Sequence, residues 1–405
     1  MSSVHAVTFG PHQPTLSTSL PRHLARLGMT RDRFDEIWSS LRFSYQPDEC
    51  PDNMSSEDYR WMLIADFVEL FNAHRESFVE PSSEICVDES ISRWYGLGGD
   101  WINCGLPMYV AIERKPENGA ELQTACCGKS GVMLRLKIVK TAKARRQEHD
   151  NNNVEDSSLN EGTQVMKELV LPWAKTDRVV VGDSYFASVQ AARELYKIGL
   201  RFIGVVKTAT RDFPYKHLSE HEFSGRGQFT CLVHNGVGVN DPDLLAFAWV
   251  DRDRRYFVST CSNMRMCNPI VRYRMRQLQQ DENTAPEKVR LEIAQPNCSA
   301  LYYSNCGCVD QHNRARQDGL KLETKYGTHD WSHRVNLSLL SMCVVDAFYV
   351  YRGCRENEET FNEFVHKMAD EMIEYGLTTR YQRATANFGF GSNAESSKRA
   401  RSAIV

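Results

Sequence analysis

Residues Val179–Ser188 read VVVGDSYFAS. Three β-branched residues run without a polar break into a glycine and an aspartate; VQAARELYKIG follows as a helix-like segment and RFIGVVKT as a second apolar strand. A strand apolar at consecutive positions is buried on both faces, and a strand–helix–strand unit of this length implies a right-handed parallel crossover. An aspartate at the carboxyl end of a parallel strand stands where α/β sheets present their ligands. Asp183 is therefore a site candidate. It is equally a candidate cap for the following helix, because Asp and Ser both accept hydrogen bonds from free helix N–H groups. Local sequence does not choose between the two.

Upstream of this unit, ICVDESISRWYG and PMYVAIERK read as strands, and ELQTACCGKSGVMLRLKIV reads as a hairpin turning at Gly-Lys-Ser-Gly. Two helices precede them. Thr30 caps the first, with Phe34, Ile37, Trp38 and Leu41 at helical spacing; Trp61, Ile64, Phe67, Val68 and Phe71 face one way in the second, so the pair is expected to pack as a small N-terminal unit. The polar stretch AKARRQEHDNNNVEDSSLNEG reads as an exposed insertion. Downstream, FTCLVHN, LLAFAWV and RRYFVST are strands of an expected inserted subdomain. RVNLSLLSMCVVDAFYVY is apolar on nearly all sides and reads as a buried central helix.

Composition sets limits on function. With 405 residues, 41% apolar and 25% charged, the chain can bury a large core and hold two or three domains. A net charge of −3 advertises no global attraction to nucleic acid, so any such contact depends on local basic patches. The N-terminus lacks the pattern of a signal peptide and no run of about 18 apolar residues occurs, which makes an intracellular protein the expectation. The 13 cysteines show no C-x-x-C pairing and read as small buried hydrophobes.

Two further aspartates share the setting of Asp183. Asp88 in CVDES lies within the first strand of the β region, on the side of Cys86 by the two-residue alternation, and Glu89 is expected on the opposite side. Asp310 in GCVDQHN opens a polar segment that can become helical; taken alone, Asp88 reads as a solvent-facing strand residue and Asp310 as a helix cap. Three carboxylates brought together need a cation, since like charges a few ångström apart repel. Oxygen ligands favour Mg²⁺ or Mn²⁺, and two such ions about 4 Å apart activate a water or a 3′-hydroxyl while stabilising the leaving oxygen of a phosphodiester. Asp346, alone in the apolar helix, must be paired or functional, whereas Asp318 and Glu323 are expected on a solvated face.

CVDES with Lys115-Pro116 beyond it, GDSYFAS with FIGVVKT, and GCVDQHN followed by WSHRVNLSLL resemble, in order and flanks, the piggyBac transposase family, over about Leu27 to Tyr351. The resemblance implies an α/β fold: an RNase H-like mixed sheet with flanking helices, a β-rich insertion and a small N-terminal helical unit. The implied division is a flexible lead-in at 1–22, a helical unit at 23–82, a catalytic domain at 83–212 and 297–354 interrupted by the insertion at 213–296, an amphipathic helix at 355–377 and a disordered tail at 378–405. It also implies two Mg²⁺ (or Mn²⁺) ions on Asp88, Asp183 and Asp310, cleavage and strand transfer on double-stranded DNA at transposon ends, a TTAA target, a homodimer that pairs the ends, and a nuclear location.

Position 313, where the family uses a further aspartate, is Asn313, which offers a neutral carbonyl oxygen as a weaker metal ligand. Nor does the sequence show the cysteine-rich zinc-binding region with which relatives commonly end. Both departures keep a second reading open: a domesticated or decayed DNA-binding protein without catalysis. A metal hydrolase acting on a small phosphorylated substrate is a third, and the insertion and its arginines count against it. For DNA contact the candidates are Arg265, Arg272, Arg274 and Arg276 in RMCNPIVRYRMR, with Arg314 and Arg316 beside the third acid. KRAR in the tail is a weak nuclear-import signal.

Overall fold

The computed structural model describes residues 30–41, 43, 50–94, 110–112, 117–140, 158–208, 210–238, 240–261, 263–276, 287–325, 328, 330–354 and 359–387. They fall into two compact units, one formed by 43–358 and the other by 1–42 with 359–405. The expected lead-in, residues 142–157 of the asparagine-rich insertion, Lys115-Pro116 and the KRAR tail lie outside the described residues, and the insertion's expected end at 162 already belongs to the helix Glu161–Val170 capped by Asn160.

The larger unit is built on a nine-stranded mixed sheet. Strand β1 (Glu84–Arg93) pairs antiparallel with β3 (Glu117–Cys127), which carries β2 (Val110–Ile112) and β4 (Met133–Ile138) on its other edge. On its second side β1 pairs parallel with β5 (Val179–Gly182), and β5 pairs parallel with β6 (Arg201–Val205). Helix α3 (Glu161–Val170) precedes β5, and α4 (Val189–Lys197) makes the crossover to β6. The order β4–β3–β1–β5–β6, antiparallel on one flank of β1 and parallel on the other, is the RNase H-like arrangement.

The apolar run of β5 follows from its position. Val180 packs with Phe202 on Met166, Leu169 and Leu195 of the helices on one face, while Val181 packs with Ile203 on Phe247, Phe257 and Tyr302 on the other. Both faces are covered, so no polar residue fits, and each buried valine contributes about 1.5–3 kcal/mol. Gly182 closes the strand because a Cβ there would lie 2.8 Å from Met166 Cε and 3.3 Å from Phe202.

The stretch 213–296 does not fold as a separate subdomain. After the short helix α5 (Tyr215–Glu220), strands β7 (Phe229–His234), β8 (Leu244–Val250) and β9 (Arg254–Ser259) extend the main sheet, with β9 antiparallel to β6. Only β10 (Met266–Arg276) and β11 (Glu287–Pro296) form a separate two-stranded ribbon. The reason is the exposed edge of β6: without β9 its N–H and C=O groups would be left unpaired.

The chain returns through α6 (Asn297–Asn305), α7 (Cys308–Arg314), a π-helical turn (Ala315–Leu320) and α8 (Leu322–Lys325) to the central helix α9 (Trp331–Cys354). This last helix is long and apolar enough to cross a membrane by length and composition. Here it is a core element: Val335, Leu339 and Met342 are buried against Leu122, Met133 and Leu136 of the sheet.

The two N-terminal helices were expected to form one small unit, and they belong to different compact units. Helix α2 (Ser56–Phe78) belongs to the larger unit, where Trp61, Ile64 and Phe71 join the α9 cluster and Trp61 meets Trp331 edge to face at 6.3 Å. Helix α1 (Arg31–Ser40), capped by Thr30, belongs to the smaller unit and has no buried residue. The broad aromatic face of α2 finds a large apolar partner in β4 and α9, which a single short helix cannot match. In the smaller unit, α10 (Phe361–Asn387) opens with a capping box between Thr360 and Glu363. It runs ten residues past the expected end at 377, because 378–387 contain neither proline nor glycine to stop it.

Candidate active site

Asp183 is the first residue beyond β5, and the register of the parallel pair, Val87 opposite Gly182, sets Asp88 of β1 beside it. The capping role falls to another residue: Ser188 accepts from Ala191 N at 2.9 Å and is the N-cap of α4. Asp183 instead uses Oδ1 to accept from Tyr185 N at 2.8 Å, a turn within the loop.

Asp88, Glu89 and Asp183 each offer a ligand oxygen, and these oxygens all lie within 4.8 Å of one another. Glu89 was expected on the far side of β1. The structure corrects this, since β5 ends at Gly182 and leaves the edge of β1 open beyond Val87, where the longer glutamate side chain can turn into the group. Burial is the main reason, and the hydrogen bond and charge of Glu89 with the charge of Asp183 the next, that the Asp88 carboxyl is pushed up to about 9. Burial likewise raises Glu89. Adjacent acids in a half-buried setting favour protons until a cation replaces them.

Asp310 stands outside that group, on the exposed outer face of α7. It is nonetheless close to the same region: the Cys306 thiol, pushed up to about 11 chiefly by burial, is raised further by both Asp88 and Asp310. The inner face of α7 carries Val309 and His312, both fully buried. His312 Nε2 donates to Asp346 Oδ1 at 3.1 Å. Asp346 also accepts from Arg75 Nη2 at 2.8 Å and Met133 N at 2.8 Å, so the lone acid of the central helix is a paired structural residue.

Asn313 lies half-buried, its Oδ1 accepting from Ser90 Oγ at 2.6 Å. Arg316 is not a DNA contact: it is 0% exposed and pairs with Glu323. Glu323, expected on a solvated face, is 2% exposed for the same reason, because the π-helical turn folds α8 back over Arg316. Asp318 is exposed. Among the other basic candidates Arg265, Arg274 and Arg314 are exposed. Arg272 is half-buried, 3.2 Å from Asp251 and stacked over Tyr303, and the Arg276 side chain lies outside the described residues. Glu89, Ser90 and Glu323 are the contributors to the site and its support that sequence reasoning missed or placed elsewhere.

The mixed sheet, with Asp88 and Glu89 midway along β1 beside Asp183 at the end of β5, places the fold in the RNase H-like class. Within it the particular family is also fixed: the model of the Transposase IS4 family matches residues 16–348, and the chain belongs to that family. In structure it is similar to piggyBac transposase, seen by cryo-EM in a synaptic complex with hairpin DNA, with TM-score 0.62, 16% identity, and coverage of 91% of this chain and 69% of that one. A search of curated proteins finds no match.

Proposed function

We propose that this member of a transposase family cuts DNA at transposon ends and joins the 3′-hydroxyls to a target by metal-dependent phosphoryl transfer. The observation that carries the reading is the group of Asp88 and Glu89, midway along β1, with Asp183 at the end of β5, and Asp310 on the helix α7. Its donor set fits a divalent cation: oxygen atoms only, mutually within 4.8 Å, with Asp88 pushed up to about 9 by burial and adjacent acids. When bound, Mg²⁺ or Mn²⁺, one ion or a pair, supplies charge stabilisation of the scissile phosphate and an activated attacking oxygen.

The chain's own residues supply the rest. Asp88 and Asp183, fixed by the β1–β5 register, would hold a divalent cation at one place on the sheet, and Asp183 is further fixed by its hydrogen bond from Tyr185 N. The β10–β11 ribbon, with Arg265 and Arg274 exposed, is suited to the phosphate backbone of double-stranded DNA. The TTAA target, a homodimer that pairs two ends and a nuclear location belong to the same reading.

The test is nicking of a labelled duplex carrying inverted repeats from the DNA flanking the gene. Cleavage that requires Mg²⁺ or Mn²⁺ and disappears in Asp183→Ala is the expected result. DNA binding without cleavage by the intact chain sinks the enzymatic claim and leaves the second reading, a DNA-binding protein derived from a transposase.

A further inference from the structure

Helix α7 carries Asp310 outward, and a buried network fixes the helix from behind. Ser90 Oγ of β1 donates to Asn313 Oδ1 at 2.6 Å. Arg316 Nη2 donates to the Ile91 carbonyl at 2.7 Å and reaches Ser90 Oγ at 3.3 Å and Asn313 Oδ1 at 3.4 Å. Gln317 Nε2 donates to the same Ile91 carbonyl at 3.1 Å, and Arg316 Nη1 is paired with Glu323. Ser90, Arg316 and Glu323 are 1%, 0% and 2% exposed, so each bond forms away from competing water.

We propose that Asn313 is a latch between α7 and β1, not a metal ligand, and that Arg316 and Asn313 are positioning residues holding Asp310 in register with Asp88. Ser90 and Ile91 lie two and three residues beyond Asp88 on one strand, and Asn313 lies three beyond Asp310 on one short helix. Bonds between those positions set the separation of the two acids. The Asn313 oxygen already faces two donors, and a neutral amide suits that place. Arg316 carries one positive charge and Glu323 takes it, so a carboxylate at 313 would set two buried acids against a single guanidinium.

The proposal rests on the metal-dependent reading, so its test separates the two. The full chain is titrated with Mn²⁺ alone, the rise in melting temperature giving the half-saturating concentration, and amide exchange of α7 is measured in chelator. The variants are Asn313→Asp and the double change Arg316→Met, Glu323→Leu; replacing a buried ion pair whole with apolar groups spares the fold where breaking it does not. The latch predicts that Asn313→Asp, which sets a second acid against the single guanidinium of Arg316, weakens Mn²⁺ binding rather than tightening it. It also predicts that the double variant, which removes no metal-site atom, weakens Mn²⁺ binding by roughly 10-fold or more and speeds exchange across α7, as loss of an outer-shell partner does. Tenfold tighter Mn²⁺ binding by Asn313→Asp, or unchanged Mn²⁺ binding and α7 exchange in the double variant, overturns the latch. A wild-type chain that does not respond to Mn²⁺ overturns the metal reading and the positioning role with it. Faster α7 exchange in the double variant would then show only that the network holds the helix.

Discussion

Two sets of acids withdrawn from solvent, one buried and one half-buried, have opposite surroundings in this molecule. Asp346 sits at 2% exposure amid donors from three other elements: Arg75 of α2, Met133 N of β4 and His312 of α7. Asp88 is held among acids, with Glu89 and Asp183 within 4.8 Å. A carboxylate whose charge the protein itself satisfies has finished its work in folding. One surrounded by other carboxylates is a folding liability, and it makes sense as a place for a cation brought from outside. The same residue type is thus neutralised by the protein in one region and left among other acids in the other.

The largest effect should come from the acidic group. Asp183→Ala is expected to lower metal-dependent strand cleavage by about 10³-fold or more while leaving duplex binding intact, read by gel-resolved cleavage beside a binding titration. An active Asp183→Ala enzyme would erase the contrast drawn above.

At the other acid the loss should be one of stability. Asp346→Leu leaves Arg75 and His312 buried without their acceptor, at a cost of about 3–5 kcal/mol in urea unfolding, the same with and without Mn²⁺. A metal-dependent penalty there would mean that Asp346 belongs to the active site after all.

Titration sharpens the contrast further. In the metal-free chain the folded state keeps a proton on Asp88 up to about pH 9, whereas the unfolded chain releases it near the ordinary value of 3.8. Between these values the folded state binds more protons, so this group makes stability fall as pH rises. Asp88→Asn removes the effect. In chelator it should melt roughly a few degrees above wild type at pH 8, the gap closing toward pH 4. A variant that melts below wild type at pH 8 contradicts the assignment.

The smallest effect is expected on the ribbon. Arg274→Ala should weaken duplex binding uniformly across sequences and reduce the slope of log affinity against log salt by about one, measured by fluorescence anisotropy. Arg272→Ala should do less to binding, because its guanidinium is engaged by Asp251. Equal slopes for wild type and Arg274→Ala would remove the ribbon from the DNA interface.

Much of the scaffold was legible because periodicity reports local environment. The run VVV before Gly182 could only be a strand covered on both sides, and the nearly all-round apolarity of 335–349 could only be a core helix. Asp183 was legible as a residue at a strand tip, and the sequence left it between ligand and cap; the structure removes the cap role by giving it to Ser188. Glu89 was misplaced because strict alternation assumes a continuous ladder, and the ladder on that edge stops at Gly182. Glu323 was misplaced because a charged residue reads as solvated unless its partner is known, and Arg316 is brought to it by a π-helical turn that leaves no simple sequence period.

By itself, then, the sequence determined the order of strands and helices and the apolar faces, since these depend on spacing within one segment, while Asp88, Asp183 and Asp310 were singled out by the resemblance to a family. Tertiary structure decided which acids meet, which are neutralised by the protein and where β7 to β9 attach. Those outcomes depend on pairing between segments distant in the chain, as Ser90 with Asn313 and Arg75 with Asp346 illustrate. Side-chain chemistry states what a residue can bind, and only the fold states what stands within reach.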